Sequence, residues 1–177
     1  MTISDWLVIA AIVVAPILAI QVQKFIERRK EIKGRKIQIF RALMTTRANR
    51  LLPEHIQALN MIDIEFYGDQ KITDAWKLLL DNFANYPQDT KDPDYQGKLN
   101  LSAEKSENLF VDLLAEMAKS LNYNFDKVHL KRAFYLPKGH VDYMGEQEFI
   151  RHTLVDVLSG KASIPIKVVN MPSDKTQ

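Results

Sequence analysis

No cysteine occurs in the 177 residues, which removes disulfides and thiolate metal sites and suits a reducing compartment. Glycine is scarce, at six residues, and no helix breaker separates Pro16 from Gly34, so long uninterrupted helices are expected. Histidine is limited to four positions, and His129, His140 and His152 have no metal-ligand spacing with one another; no metal or cofactor is expected. Charge is absent from one stretch: Trp6 to Ile20 holds no charged or polar side chain, 15 residues or roughly 22 Å of helix. Counted from Ile3 to Val22, with Ser4, Asp5 and Gln21 at the ends, the run reaches 20 residues, roughly 30 Å, the thickness of a hydrocarbon core. Trp6 occupies the position of an interface anchor. Pro16 is tolerated in a spanning helix when neighbours or water satisfy the freed carbonyl.

A strongly basic segment succeeds the apolar run. Lys24 to Arg50 carries ten Lys and Arg against Glu27 and Glu31, a net +8. Asp5 contributes −1 and the whole chain is +2, so residues 51–177 carry −5. A cleaved signal peptide needs a basic start and a small-residue cleavage site, and neither is present. A buried core helix of a soluble protein would not end in so sharp a charge step. A retained single span over residues 1–22 is therefore expected. The basic flank stays on the cytoplasmic side, with the short N-terminus outside and the bulk of the chain inside. The flank can rest on anionic headgroups, contact nucleic acid, or meet the acidic domain of its own or a neighbouring subunit; an ordinary juxtamembrane flank also accounts for it.

The rest of the chain predicts an all-α fold. Residues 23–52 continue as a basic amphipathic stalk, with Val22, Phe25, Ile26, Ile32, Ile39, Phe40, Leu43 and Met44 along one apolar stripe. Residues 53–160 form an antiparallel helical bundle. Pro53 opens a helix over 54–66 closed by Gly68, and Thr73-Asp74 caps a helix over 75–83 that faces inward through Trp76, Leu79, Leu80 and Phe83. A polar loop covers 87–97. Ser102 caps a helix to Leu121 that buries Leu109, Phe110, Leu113, Leu114 and Met117. The stretch 125–135 predicts a short helix, Leu136 to Gly139 a turn, Lys138-Gly-His140 a turn in preference to a phosphate loop, and Glu146 to Leu158 a last helix stopped by Ser159-Gly160. Residues 161–177 form an extended arm, which Pro165 keeps to an edge.

Arg50-Leu-Leu-Pro-Glu-His55 is the polar pattern with the most chemistry in it. In a small helical bundle it resembles the motif of the HEPN nucleases, in which an Arg and a His from two subunits act on the RNA 2′-hydroxyl and scissile phosphate without metal. The chemistry requires a group titrating near neutrality and a fixed cation for the phosphorane charge. Leu51 stands where the family has a polar residue and Pro53 lies within the motif, so the resemblance implies a degenerate, inactive pair at Arg50 and His55. A surface His and a stalk Arg would read the same way. As a whole, one N-terminal span, a basic stalk, a cysteine-free helical domain and a lone degenerate Arg-His pair resemble the small accessory membrane proteins of type VI-B CRISPR systems. That resemblance implies a HEPN-like bundle and a homo-oligomeric pore. It also implies a role in depolarising the bacterial inner membrane once the RNA-guided RNase effector is triggered, a functional link that leaves direct contact with the effector open.

Ala11, Ala15 and Ala19 recur every fourth residue and form a ridge that lets spans approach closely, although Ala is also a common filler in spans. Helices about 10 Å wide leave a water-sized lumen only when roughly five or more form a ring. One flank of the ridge carries Asp5, Ile12, Pro16 and Gln23, the other Ile3, Leu7, Val14 and Gln21. The first set places polar groups at both mouths and is the expected lumen. Arg28, Arg29, Lys30 and Lys33, repeated around the ring, would make a cationic vestibule. The competing expectations are a membrane-tethered RNase using Arg50 and His55, and a passive tether for a partner.

Overall fold

The computed structural model describes the backbone of residues 3–164 and the side chains of residues 14–164. Among these residues every regular element is helical. The order is α1 (Ile3–Thr46), α2 (Pro53–Asn60), α3 (Ile62–Glu65), α4 (Gln70–Ala84), α5 (Tyr95–Ser120), α6 (Lys127–Arg132) and α7 (Lys138–Leu158). The expected all-α class therefore holds. The chain divides into two compact units, residues 1–134 and 135–177. The bundle expected over 53–160 is thus distributed: α2 to α6 share the first unit with α1, and α7 lies in the second.

Helix α1 runs 44 residues without interruption through Pro16 and Gly34, about 66 Å at 1.5 Å per residue. Only its last turns enter the core, through Ile39, Phe40 and Leu43. The apolar stripe anticipated along the stalk is buried at that end alone; Val22, Phe25, Ile26 and Ile32 are exposed. Periodicity announces an apolar face, but the packing partners α2, α3 and α5 reach only the C-terminal part of the helix. Every residue from 14 to 33 is exposed. Among the described residues no helix is long and apolar enough to cross a membrane. The side chains of residues 3–13, the first half of the apolar run, lie outside that description, as does the arm expected beyond residue 164.

The core of the first unit sits between the end of α1 and helices α2 to α6, with Leu43, Ile62, Phe66, Ile72, Leu79, Leu113, Leu114 and Met117 fully enclosed. Pro53 does open α2, but the helix expected over 54–66 divides at Met61, whose N–H turns to the carbonyls of Gln57 and Ala58. Gly68, at φ +86°, ends this segment in a conformation that suits glycine. Helix α4 starts five residues before the expected Ala75. It buries Ile72, Trp76, Leu79 and Asn82, whereas Leu80 and Phe83 are exposed, contrary to expectation. Asn82 takes the inward place because its amide donates to Ser106 Oγ at 2.7 Å and to the Ser102 carbonyl at 3.2 Å, joining α4 to α5. Trp76 Nε1 donates to Asp63 Oδ2 at 3.2 Å, which fixes α3 against α4.

Helix α5 begins at Tyr95, not at Ser102, so the polar loop is shorter than its composition suggests. Asp92 accepts from Lys98, which holds the Asp92 carboxyl below its ordinary range, and the Asp94 carboxylate lies against Gly97 where any side chain would collide. The extra turns of α5 are thus built on an ion pair and a glycine that read as loop residues. Phe110, Leu113, Leu114 and Met117 are buried as expected, with Leu109 partly covered. Helix α7 begins at Lys138, so Lys138-Gly-His140 is its first turn and not a free turn. The helix ends before Ser159-Gly160 as anticipated, and none of its residues is buried.

Candidate functional site

The turn from α1 into α2 brings Arg47, Arg50 and His55 toward α5. His55 is enclosed, 1% exposed. Its Nδ1 lies 2.7 Å from Thr46 Oγ1, and the Thr46 hydroxyl donates its one proton to the Ala42 carbonyl at 2.6 Å. Thr46 is therefore an acceptor for His55, which places the imidazole proton on Nδ1 and a bare lone pair on Nε2. Nε2 is buried with no hydrogen-bond partner among the described residues. The ring packs at a tilt against Phe110, 5.2 Å between centroids. Burial, with a smaller contribution from the Arg50 charge, pushes His55 from 6.5 down to about 4.

Arg50 contacts the same phenyl ring. Its guanidinium lies 4.3 Å from the Phe110 centroid and is ion-paired to Glu107 Oε2. Arg50 and His55 thus both contact Phe110, but neither is free for the nuclease chemistry of the resembled motif. His55 has no route to a substrate proton while Phe110 and Thr46 enclose it, and Arg50 is already engaged by a carboxylate. A general acid or base must lie within hydrogen-bond reach of the proton it moves.

The burial of His55 also gives stability a pH dependence of definite sign. The folded state keeps His55 neutral between pH 6.5 and about 4, whereas the unfolded chain takes up the proton near 6.5. The unfolded state binds more protons in that window, so stability falls as the pH drops through it, by about 3 kcal/mol in total. Chemical denaturation of the wild type and of His55→Gln at pH 7.5 and pH 4.5 checks this. The wild type is expected to lose stability on acidification and the variant to lose markedly less.

Of the expected pore and vestibule positions, Asp5, Ala11 and Ile12 lie outside the residues whose side chains are described. Ala15, Pro16, Ala19 and Gln23 are exposed on α1, with Gln23 Nε2 donating to Glu27 Oε1 at 2.9 Å. Arg28, Arg29, Lys30 and Lys33 are exposed along the same helix, and Arg29 lies over the Phe25 ring at 4.4 Å. Further on, Arg35 Nε donates to both oxygens of Glu65, at 2.8 and 3.0 Å, and Lys36 Nζ lies 5.0 Å from the Phe66 centroid. The last turns of the stalk are in this way clamped to α3. Among the described residues no group of three His, Asp or Glu side chains is placed to hold a metal. His129 stacks on Phe125 at 5.3 Å, and Arg151 approaches Glu148 of its own helix at 3.8 Å.

Sequence reasoning missed Thr46, Glu107 and a group of cations that share a cavity with Arg50. Arg47, Arg50, Lys131 and Arg132 line a cavity of about 480 Å³ together with Glu107, Phe110 and Phe134. Arg47 donates to the Met44 carbonyl at 2.5 Å and to the Ala133 carbonyl, and its guanidinium lies 5.8 Å from the Phe134 centroid. Basic residues at 131 and 132, adjoining an aromatic at 134, were the visible signal. Their convergence with Arg47 depends on how α5 positions α6.

No curated protein and no solved structure matches this chain. Over residues 1–177, its full length, it matches a family of unknown function (DUF6680), and the chain belongs to that family.

Proposed function

We propose that this chain is a self-associating protein of the bacterial inner membrane, anchored by residues 3–22, whose ring of copies opens a pore that depolarises the membrane. The observation that carries this reading is the state of α1. Over residues 14–33 the helix has no cover from its own chain, and Ile17, Leu18, Ile20 and Val22 are each more than half exposed. Twenty mostly apolar residues on a continuous helix need lipid or other copies of themselves, and the sequence from Ile3 supplies roughly 30 Å of them. The belt of Arg28, Arg29, Lys30 and Lys33 at its end favours a cytoplasmic stalk. Ala15 and Ala19 lie on the free helix where close packing of copies would use them, and Pro16 and Gln23 flank the ridge on the side assigned to the lumen. The bundle is read as HEPN-like, and the role as one in type VI-B RNA-guided antiphage defence, on the layout and on the Arg50 and His55 pair. The enclosure of His55 speaks for a structural rather than a nucleolytic use of that pair.

A membrane-potential dye followed in infected cells that express the RNA-guided RNase effector, with and without this chain, tests the proposal. Depolarisation is expected only when both are present. Native mass spectrometry of detergent-solubilised protein is expected to show assemblies of roughly five or more subunits, the minimum for a water-sized lumen. A monomer or dimer there, or an unchanged potential in the cells, contradicts the pore.

A further inference from the structure

The cavity between the α1–α2 turn, α5 and α6 has an excess of positive charge that the protein does not neutralise. Four cations line it, Arg47, Arg50, Lys131 and Arg132, against the single carboxylate of Glu107. Glu107 is engaged by Arg50. Arg47 finds only neutral acceptors, the carbonyls of Met44 and Ala133 and the Met44 sulfur. Lys131 Nζ donates to the neutral amide of Asn108 at 3.0 Å. Arg132 has no side-chain partner among the described residues. Three unbalanced cations therefore meet at one opening, in a chain whose residues 51–177 carry −5. Lys131 and Arg132 also border a second cavity of about 460 Å³, where Lys127 is paired with Asp112 at 2.6 Å. Arg47 lines the first cavity and not the second, so the three unpaired cations come together only at the first.

Shape narrows the ligand further. A bare inorganic anion would leave most of about 480 Å³ empty, and the remaining walls are apolar: Phe110, Val111, Leu130 and Phe134. Phe134 is 44% exposed with the Arg47 guanidinium over it, a flat surface on which a planar group can stack. Several Arg and Lys donors around one point favour the phosphate group, which offers three acceptor oxygens and close to two negative charges. We infer that this cavity binds a small soluble phosphate monoester with a planar organic group, the phosphate held by Arg47, Lys131 and Arg132 and the ring laid against Phe134. A lipid headgroup is the other source of the same chemistry. If α1 stands in the bilayer as proposed above, Arg47 lies 25 residues beyond Val22, roughly 37 Å along a straight helix and out of reach of headgroups. The inference otherwise stands apart from the pore.

Isothermal titration of the full-length protein in an uncharged detergent, with phenyl phosphate as the probe above the second phosphate pKa of about 6, tests it. Phenyl phosphate is expected to bind with Kd below about 1 mM. Phenol and inorganic phosphate, each lacking half of the recognised chemistry, are expected to bind at least about ten-fold more weakly. Arg132→Gln and Lys131→Gln should each weaken phenyl phosphate about ten-fold, while Lys105→Gln, an exposed charge elsewhere on α5, leaves it unchanged. Circular dichroism confirms that each variant retains its helix content. Equal affinity for phenol, equal losses in all three variants, or no heat from phenyl phosphate overturns the proposal. So does binding of an RNA oligonucleotide by protein that ignores phenyl phosphate, which would make the cavity a nucleic-acid surface.

Discussion

Phe110→Ala is expected to destabilise the first unit by about 3–5 kcal/mol, a large share of the 5–15 kcal/mol that holds a typical domain. Phe110 is 2% exposed and its ring is contacted by two different partners: the His55 ring at 5.2 Å and the Arg50 guanidinium at 4.3 Å. Truncation leaves a cavity between α2 and α5 and removes the surface over which Arg50 spreads. It also lets water reach His55 Nε2, which supplies a second readout. His55 is held near 4 chiefly by burial, so once hydrated it should titrate closer to 6.5, and the loss of stability between pH 7.5 and pH 4.5 should shrink. Phe110→Leu keeps most of the volume and should cost less than half as much, with the acid sensitivity retained. Thermal unfolding followed by circular dichroism at both pH values separates these outcomes. If Phe110→Ala unfolds at the wild-type temperature, the ring is not the keystone between α2 and α5.

Phe110 also shows what could be read before the fold was known. Its burial with Leu113, Leu114 and Met117 follows from three- and four-residue spacing on a long helix, and the helix stops at Gly68 and Gly160 follow from the conformations glycine allows. The all-α class rests on the same signals. Other features depend on partners remote in the chain. Thr46 and His55 meet because residues 47–52 reverse direction between α1 and α2, and no periodicity encodes that reversal. The cations at 47, 131 and 132 converge through α5, which belongs to neither segment. Phe25 and Ile26 illustrate the opposite failure: their spacing matches Ile39 and Leu43, yet only the latter pair finds cover within the chain. An amphipathic stripe specifies a face and leaves its occupant open. Helix α7 poses the same question, since none of its residues is buried although Ile150, Leu154 and Leu158 share one side.

The occupant of the α1 face is decided by two pairs of substitutions at the same positions. Ala15→Arg with Ala19→Arg places two charges in the proposed span; the one at 15, nearer the helix centre, opposes insertion by up to about 2.5–3.5 kcal/mol, and the one at 19, close to the cytoplasmic end, by less because its side chain can snorkel. Together these should move a large share of the protein from the membrane pellet to the soluble fraction on ultracentrifugation. Both positions are exposed on α1 and lie away from the core formed by Ile39, Phe40 and Leu43, so the bundle itself should fold as before. Ala15→Leu with Ala19→Leu has the contrary design. It raises hydrophobicity, so the chain stays in the membrane, but it fills the ridge that lets helices approach closely. Smaller assemblies in native mass spectrometry and loss of depolarisation are expected from the leucine pair, without any change in fractionation. An arginine pair that remained in the pellet would place the anchor elsewhere. A leucine pair with wild-type assembly would show that copies meet through another side of α1, with the flank of Val14 the next to substitute.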